Sequence, residues 1–135
     1  MTRSVDDLLA QARLEIERVD AGELERLQAE GALVVDIRPE RQRAEEGELP
    51  FGIVVERNVL EWRFDLLGDH VLPEVKGYDQ QVIVVCSEGY ASSLAAASLR
   101  ELGFAGAGDL SGGYVAWRRW RDAAATPSPP RTAPA

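Results

Sequence analysis

The sequence predicts a three-layer α/β fold, in which helices cover both faces of a central parallel sheet. Short apolar runs alternate along the chain with segments of helical periodicity, an order typical of parallel sheets joined by helical crossovers. The clearest run, residues 82–85, contains only valine and isoleucine, as expected for a strand that is buried on both faces. Residues 33–37 form a second run of this kind, interrupted only by Asp36.

An extra amphipathic helix is predicted at the N-terminus, over residues 5–19, because apolar side chains recur there every three or four positions. Ser4 is its expected N-cap. Asp20, followed three residues later by Glu23, predicts a cap for a second short helix, which Gly31 ends. The apolar face of the first helix either packs on the edge of its own domain or forms a dimer.

In the middle of the chain, the sequence predicts short secondary-structure elements. Pro39 ends the strand before it, and the polar residues 40–48 indicate a surface helix and a turn. A brief strand is then expected at 53–55 and a helical segment that ends near Gly68.

The strand at 82–85 runs directly into Cys86 and a loop that contains Gly89. Ser92 or Ser93 is expected to cap the helix that follows this loop. A short strand near residues 109–110 and a last helix after the glycine pair at 112–113 complete the fold. The chain is therefore divided into a helical extension (1–19), one α/β domain (20–122) and a disordered tail rich in proline and alanine (123–135).

Composition excludes several classes of partner. The chain has 135 residues and a net charge of -8, which repels a phosphate backbone, so no nucleic acid is expected to bind. No stretch approaches the roughly 20 apolar residues of a membrane span, and the N-terminus turns acidic before a secretory signal could form. We therefore expect a cytoplasmic protein that does not enter membranes.

The chain has one cysteine and one histidine, and this limits the chemistry that it can perform. Its only cysteine, Cys86, excludes an internal disulfide and a CxxC metal or redox pair. The single histidine, His70, has no metal-ligand partners at suitable spacing, so no metal is expected. Walker and dinucleotide fingerprints are absent, and no cofactor is expected.

Cys86 is the candidate functional residue. It follows a buried strand and precedes a tight loop and a helix, which is where open α/β folds bind ligands. Loop amides and a helix N-terminus favour an anion there and thereby stabilise a thiolate. The alternative is a small buried cysteine that merely ends a strand.

Three blocks of the sequence resemble the rhodanese family. Residues 34–38 (Val-Val-Asp-Ile-Arg) are similar to its first block, Gly89 follows Cys86 by three residues as in its active loop, and residues 110–117 carry a Gly-Gly pair before an Ala-Trp pair. The blocks occur in the family's order and span about residues 20–121. The resemblance implies the rhodanese-like fold.

The resemblance also implies a sulfurtransferase. In such an enzyme Cys86 accepts a sulfane sulfur from thiosulfate, mercaptopyruvate or a persulfide, holds it as a persulfide, and passes it to a thiol acceptor or a protein sulfur carrier. The loop that cradles the persulfide is then formed by Ser87, Glu88, Gly89, Tyr90, Ala91 and Ser92.

Departures from the family pattern favour a particular donor and leave an alternative function open. Relatives that use thiosulfate carry arginines one and five positions after the cysteine, where this chain has Ser87 and Ala91. We therefore expect a less charged donor, such as a persulfide. The alternative is a noncatalytic binding module. A phosphatase would need an arginine six positions after Cys86, and that position is Ser92.

Two interpretations outside the loop remain open. Arg38 either supplies positive charge to the loop or forms a structural salt bridge, in which case Asp36 accepts loop amide hydrogen bonds. Trp62 and Phe64 either cover a pocket or pack as ordinary aromatic residues.

Overall fold

The computed structural model describes residues 1–125, which contain five strands and six α-helices. The strands are β1 (Glu17–Val19), β2 (Leu33–Asp36), β3 (Ile53–Val54), β4 (Val82–Val85) and β5 (Ala107–Leu110). The helices are α1 (Val5–Glu15), α2 (Leu24–Ala29), α3 (Glu40–Glu46), α4 (Leu60–Phe64), α5 (Ala91–Leu102) and α6 (Gly113–Ala125). Single 3₁₀ turns at Ala21–Glu23 and Arg57–Val59 precede α2 and α4.

The strands form one parallel sheet in the order β1-β5-β4-β2-β3. β4 is buried along its whole length at the centre of this sheet, and its side chains alternate between two cores. Val82 and Val84 join the core beneath α4 and α5, whereas Ile83 and Val85 join the core beneath α2 and α6. The predicted three-layer α/β fold is confirmed, and the carboxyl ends of β2, β4 and β5 meet at one edge of the sheet.

The N-terminal helix is shorter than predicted. Ser4 caps α1 as expected, through a reciprocal hydrogen-bonded pair with Asp7, but the helix ends at Glu15. The prediction of helix up to residue 19 was wrong, because Glu17–Val19 pairs with β5 as an edge strand. Tertiary pairing overrides the helical spacing here, since Ile16 and Val19 are buried in the two different cores.

The apolar face of α1 packs within its own domain. Leu9 and Ala12 are buried, and α1 lies against α5. This is the first of the two arrangements that the sequence left open.

Three other local predictions differ from the structure. Asp20 makes no capping hydrogen bond, and a 3₁₀ turn leads into α2. The segment predicted to end near Gly68 contains helix only over Leu60–Phe64. Neither Ser92 nor Ser93 is an N-cap, because α5 begins at Ala91 and both hydroxyl groups bind elsewhere.

The two aromatic residues of α4 differ in their burial. Phe64 is fully buried and packs edge-on against Phe104, with the ring centroids 5.6 Å apart. Trp62 is exposed to solvent. His70 is also exposed, and its backbone carbonyl accepts a hydrogen bond from Arg63.

The C-terminal helix continues to Ala125, and the rest of the predicted tail lies outside the described residues. In residues 1–125, no helix combines the length and the apolar character needed to cross a membrane.

Candidate functional site

The candidate site is the loop between β4 and α5, which begins at Cys86. Cys86 is 7% exposed and therefore buried, at the edge of the sheet where β4 ends. Its sulfur accepts hydrogen bonds from the backbone N–H groups of Gly89, at 3.2 Å, and Ser92, at 3.4 Å. Two of the amides expected in the cradle thus point at the sulfur, and a negative charge there would be stabilised by both.

Gly89 allows the loop to turn tightly around this sulfur. Its φ of 88° lies in the left-handed region, which side chains with a Cβ seldom adopt. A Cβ at this position would also lie 2.7 Å from the backbone nitrogen of Gly112. The family-like glycine three residues after Cys86 is thus required both by backbone conformation and by the space available.

The first turn of α6 holds the loop from its carbonyl side. The N–H of Tyr114 donates to the carbonyl of Cys86 at 2.8 Å, and the N–H of Val115 donates to the carbonyl of Ser87 at 3.0 Å. Since these N–H groups have no partner within their own helix, the loop satisfies them. The Gly-Gly block of the sequence therefore lies directly against the cysteine loop.

Ser92 connects Cys86 to a buried carboxylate. Its hydroxyl lies 3.2 Å from the sulfur, accepts a hydrogen bond from the thiol, and donates to Asp109 at 2.7 Å. Ser93 donates to the same carboxylate oxygen at 2.8 Å. The side chain of Asp109 is completely buried at the end of β5.

Asp109 was missed as a site residue by reasoning from the sequence, which identified residues 109–110 only as a strand. A signal for it was present. An acidic residue within a short buried strand needs a partner, and the end of this strand lies next to the cysteine loop in a parallel sheet.

Two arginines near the N-terminus also contact the loop, and neither was anticipated. Arg18, on β1, binds the carboxylate of Asp109 through Nε at 3.0 Å and donates to the Gly89 carbonyl at 2.7 Å. Arg13, on α1, donates to the same carbonyl at 2.9 Å and to the Ser93 hydroxyl at 3.1 Å. Its guanidinium lies 5.6 Å from the ring centroid of Tyr90.

Arg38 has a structural role and does not contact the Cys86 sulfur. Its guanidinium binds Asp36 at 2.8 Å and Glu46 at 3.1 Å, and it stacks on the Tyr114 ring at 3.9 Å. Burial lowers the pKa of Arg38, but the hydrogen bonds and charges of Asp36 and Glu46 outweigh that effect and raise the pKa above its ordinary value. Arg38 is therefore a permanent cation whose single charge is more than balanced by these two carboxylates.

Asp36 also accepts a hydrogen bond from a backbone amide, but this amide is that of Arg38 and not one of the cysteine loop. The cysteine loop joins the same network through another residue, since the Ser87 hydroxyl donates to Glu46 at 2.5 Å. Ser87 thus fastens the loop to α3.

Two cavities open beside Cys86. The larger, of about 500 Å³, is bordered by Ile37 and Arg38 after β2 and by residues 56–58. The smaller, of about 300 Å³, is bordered by Glu46, Glu88 and Tyr90. Cys86 and Ala91 line both cavities, so both open directly beside the cysteine.

The walls of these cavities carry more free negative than free positive charge. Arg38 is neutralised as described above, and Arg57 is paired with Glu61 at 2.9 Å. Glu40 and Glu56 line the larger cavity, and neither has an ion-pair partner within residues 1–125. Glu88 in the smaller cavity is exposed and likewise unpaired in that part of the chain. Within residues 1–125, no cluster of histidine, cysteine and acidic side chains is arranged to hold a metal ion.

Comparison with known proteins agrees with this architecture. The family model described as "Rhodanese-like domain" matches residues 20–119. A rhodanese homologue from Thermus thermophilus is 32% identical, with a TM-score of 0.55, over 75% of this chain and 100% of that one. The human single-domain sulfurtransferase, at 23% identity and a TM-score of 0.63, shares the fold over 76% of this chain and 95% of its own.

A protein of unknown function from Rhodopseudomonas palustris is also similar in structure. It is 27% identical, with a TM-score of 0.81, over 90% of this chain and 93% of that one, and is described as a "Possible Tyrosine Phosphatase". No curated protein matches the chain.

Proposed function

The chain belongs to the rhodanese-like domain family, and from this premise we propose that it is a sulfurtransferase that carries a sulfane sulfur on Cys86. The observation that supports this proposal most directly is the pair of N–H groups, from Gly89 and Ser92, that point at the Cys86 sulfur. A persulfide at this position would keep its charge close to the same donors. The two adjoining cavities give a donor and an acceptor access to it.

The proposed reaction has two displacement steps. The thiolate of Cys86 attacks the outer sulfur of the donor, so that a new S–S bond forms and the donor leaves with the electron pair of the broken bond. An acceptor thiolate then attacks the outer sulfur of the Cys86 persulfide, which breaks that S–S bond and restores the Cys86 thiolate. The two steps balance without an external oxidant or reductant.

We expect a small or protein-bound persulfide to be a better donor than thiosulfate. Thiosulfate is a dianion, and the unpaired carboxylates of Glu40, Glu56 and Glu88 repel it. The two loop positions at which thiosulfate-using relatives carry arginines are here Ser87 and Ala91. A steady-state comparison in which thiosulfate turns over as fast as a persulfide would contradict this preference.

A noncatalytic protein-binding module is the second candidate function, and the absence of those two arginines favours it. A phosphatase is not supported, although one structural relative carries that description. The position of a phosphate-clamping arginine, six residues after the cysteine, is the buried Ser92, whose hydroxyl is bound to Asp109.

The deciding experiment is intact mass spectrometry of the reduced protein after incubation with thiosulfate, mercaptopyruvate or a small-molecule persulfide. Sulfur transfer predicts the gain of one sulfur atom that cyanide or a thiol removes and that Cys86→Ser does not acquire. No adduct with any of the three donors would contradict sulfur transfer and leave the binding module.

A further inference from the structure

Two arginines that precede the family match lie against the cysteine loop. The match begins at residue 20, whereas Arg13 and Arg18 belong to α1 and β1. Both side chains donate to the carbonyl oxygen of Gly89, at 2.9 and 2.7 Å. Two cations therefore converge on one peptide group of a loop that has no arginine of its own.

The orientation of the loop depends on this peptide group. The N–H of Gly89 points at the Cys86 sulfur, whereas its carbonyl points at the two arginines. In a planar trans peptide the N–H of Tyr90 is directed opposite to that carbonyl. The arginines thus hold the Gly89–Tyr90 peptide group, which is joined through the Cα of Gly89 to the preceding peptide group, whose N–H points at the sulfur.

The same arginines are connected to Cys86 by a second route. Arg18 neutralises Asp109, which is completely buried and has no other cationic partner in residues 1–125. Asp109 accepts from Ser92, whose hydroxyl lies 3.2 Å from the sulfur. Arg13 binds Ser93, which donates to the same carboxylate. Removing either arginine would therefore disturb the groups around the sulfur without touching it.

We infer that Arg13 and Arg18 are positioning residues for Cys86, which hold the amides of Gly89 and Ser92 in the orientation that stabilises the thiolate. They act through the Gly89 carbonyl and the Asp109–Ser92 pair. Arg13, which has no ion-pair partner within residues 1–125, also supplies from outside the loop a part of the positive charge that the loop lacks. This inference deepens the proposed sulfur transfer. The effect expected on sulfur loading rests on that proposed function, whereas the effect expected on the reactivity of the Cys86 thiol does not.

The test uses Arg13→Met, because this change removes the contacts to Gly89 and Ser93 and leaves the ion pair of Asp109 in place. Sulfur loading, measured by intact mass against time, is expected to slow roughly tenfold, the scale of one hydrogen bond from a charged group. Arg26→Met is the matched control. It removes an arginine from α2 whose side chain binds Glu23 and Glu30 and no other residue of the described part of the chain, and it should load at the wild-type rate.

A second measurement, the rate of Cys86 alkylation by iodoacetamide against pH, distinguishes positioning from loosening. Loss of positioning predicts alkylation roughly tenfold slower at neutral pH, with the deficit vanishing at alkaline pH because the thiol then ionises in every variant. A loop that merely opens would expose this buried thiol and speed alkylation. Faster or unchanged alkylation in Arg13→Met would overturn the inference.

Two conservative variants complete the design. Arg13→Lys keeps the charge and should recover part of the lost rate. Arg18→Lys keeps a cation beside Asp109. A lysine ammonium group, however, cannot bind both the Asp109 carboxylate and the Gly89 carbonyl as the guanidinium does. Cys86 should therefore be alkylated more slowly in this variant than in the wild-type protein. A full wild-type rate in Arg18→Lys would likewise contradict a positioning role for Arg18. If the wild-type protein takes no sulfur from any donor, the proposed function fails, and the alkylation profiles still decide this inference.

Discussion

The hydroxyl of Ser92 donates its proton to the buried carboxylate of Asp109, at 2.7 Å. Because a hydroxyl has only one proton, Ser92 accepts from the Cys86 thiol in this arrangement and does not donate to it. Ser92 thereby links the sulfur of Cys86 by hydrogen bonds to a carboxylate on the neighbouring strand β5. When the thiol loses its proton, the backbone N–H groups of Gly89 and Ser92 remain as donors to the sulfur.

Ser92→Ala is expected to lower the free energy of unfolding by about 1–3 kcal/mol, because it leaves a buried carboxylate with one donor fewer. Urea unfolding measures this loss. Ser98→Ala is the matched control, since Ser98 lies on the same helix and makes no side-chain hydrogen bond within residues 1–125. It should change stability by less than about 0.5 kcal/mol. Equal losses in the two variants would show that the bond to Asp109 contributes nothing.

Arg18→Ala is expected to lower the free energy of unfolding by about 3–5 kcal/mol, because it leaves the buried charge of Asp109 without its cationic partner. Adding Asp109→Asn should restore part of this loss, since an uncharged amide costs less to bury without a cation. The measurement is a double-mutant cycle by urea unfolding. Strictly additive losses would contradict a direct interaction between the two side chains.

Gly89→Ala is expected to destabilise the protein more than Gly31→Ala. Both glycines have positive φ, 88° and 111°, so both substitutions carry a conformational cost of roughly 1–2 kcal/mol. A Cβ at Gly31 would meet nothing within 4 Å, whereas a Cβ at Gly89 would collide with Gly112. Gly31→Ala should also keep the wild-type rate of sulfur loading, which Gly89→Ala should lose. Similar unfolding midpoints and loading rates in both variants would refute the role assigned to this close approach.

The sequence was sufficient to predict the elements whose signals are local. The apolar run at 82–85 predicted the central strand because a strand buried on both faces needs no polar residue. The position of Cys86 followed, since the carboxyl end of such a strand is where the sheet is open to ligands.

The side-chain contacts around the cysteine loop could not be predicted from local sequence patterns. Arg18 and Asp109 are 91 positions apart in the chain, and nothing in the spacing of either residue indicates the other. The edge strand β1 was predicted as helix because apolar side chains three residues apart fit both forms. Ser92 and Ser93 were assigned as caps on a local preference, which their hydrogen bonds to Asp109 override.

The preference for a donor other than thiosulfate predicts a gain of function at Ala91. This residue is exposed, lies at the first position of α5 and lines both cavities, so a long side chain can reach the sulfur from it. Ala91→Arg should speed sulfur loading from thiosulfate roughly 10- to 100-fold, because a charged hydrogen bond to the dianion contributes about 1.5–3 kcal/mol. Ala91→Gln, which has a long polar side chain without the charge, should not. Intact mass against time measures both rates, and the same rate in the two variants would mean that missing positive charge is not what limits thiosulfate.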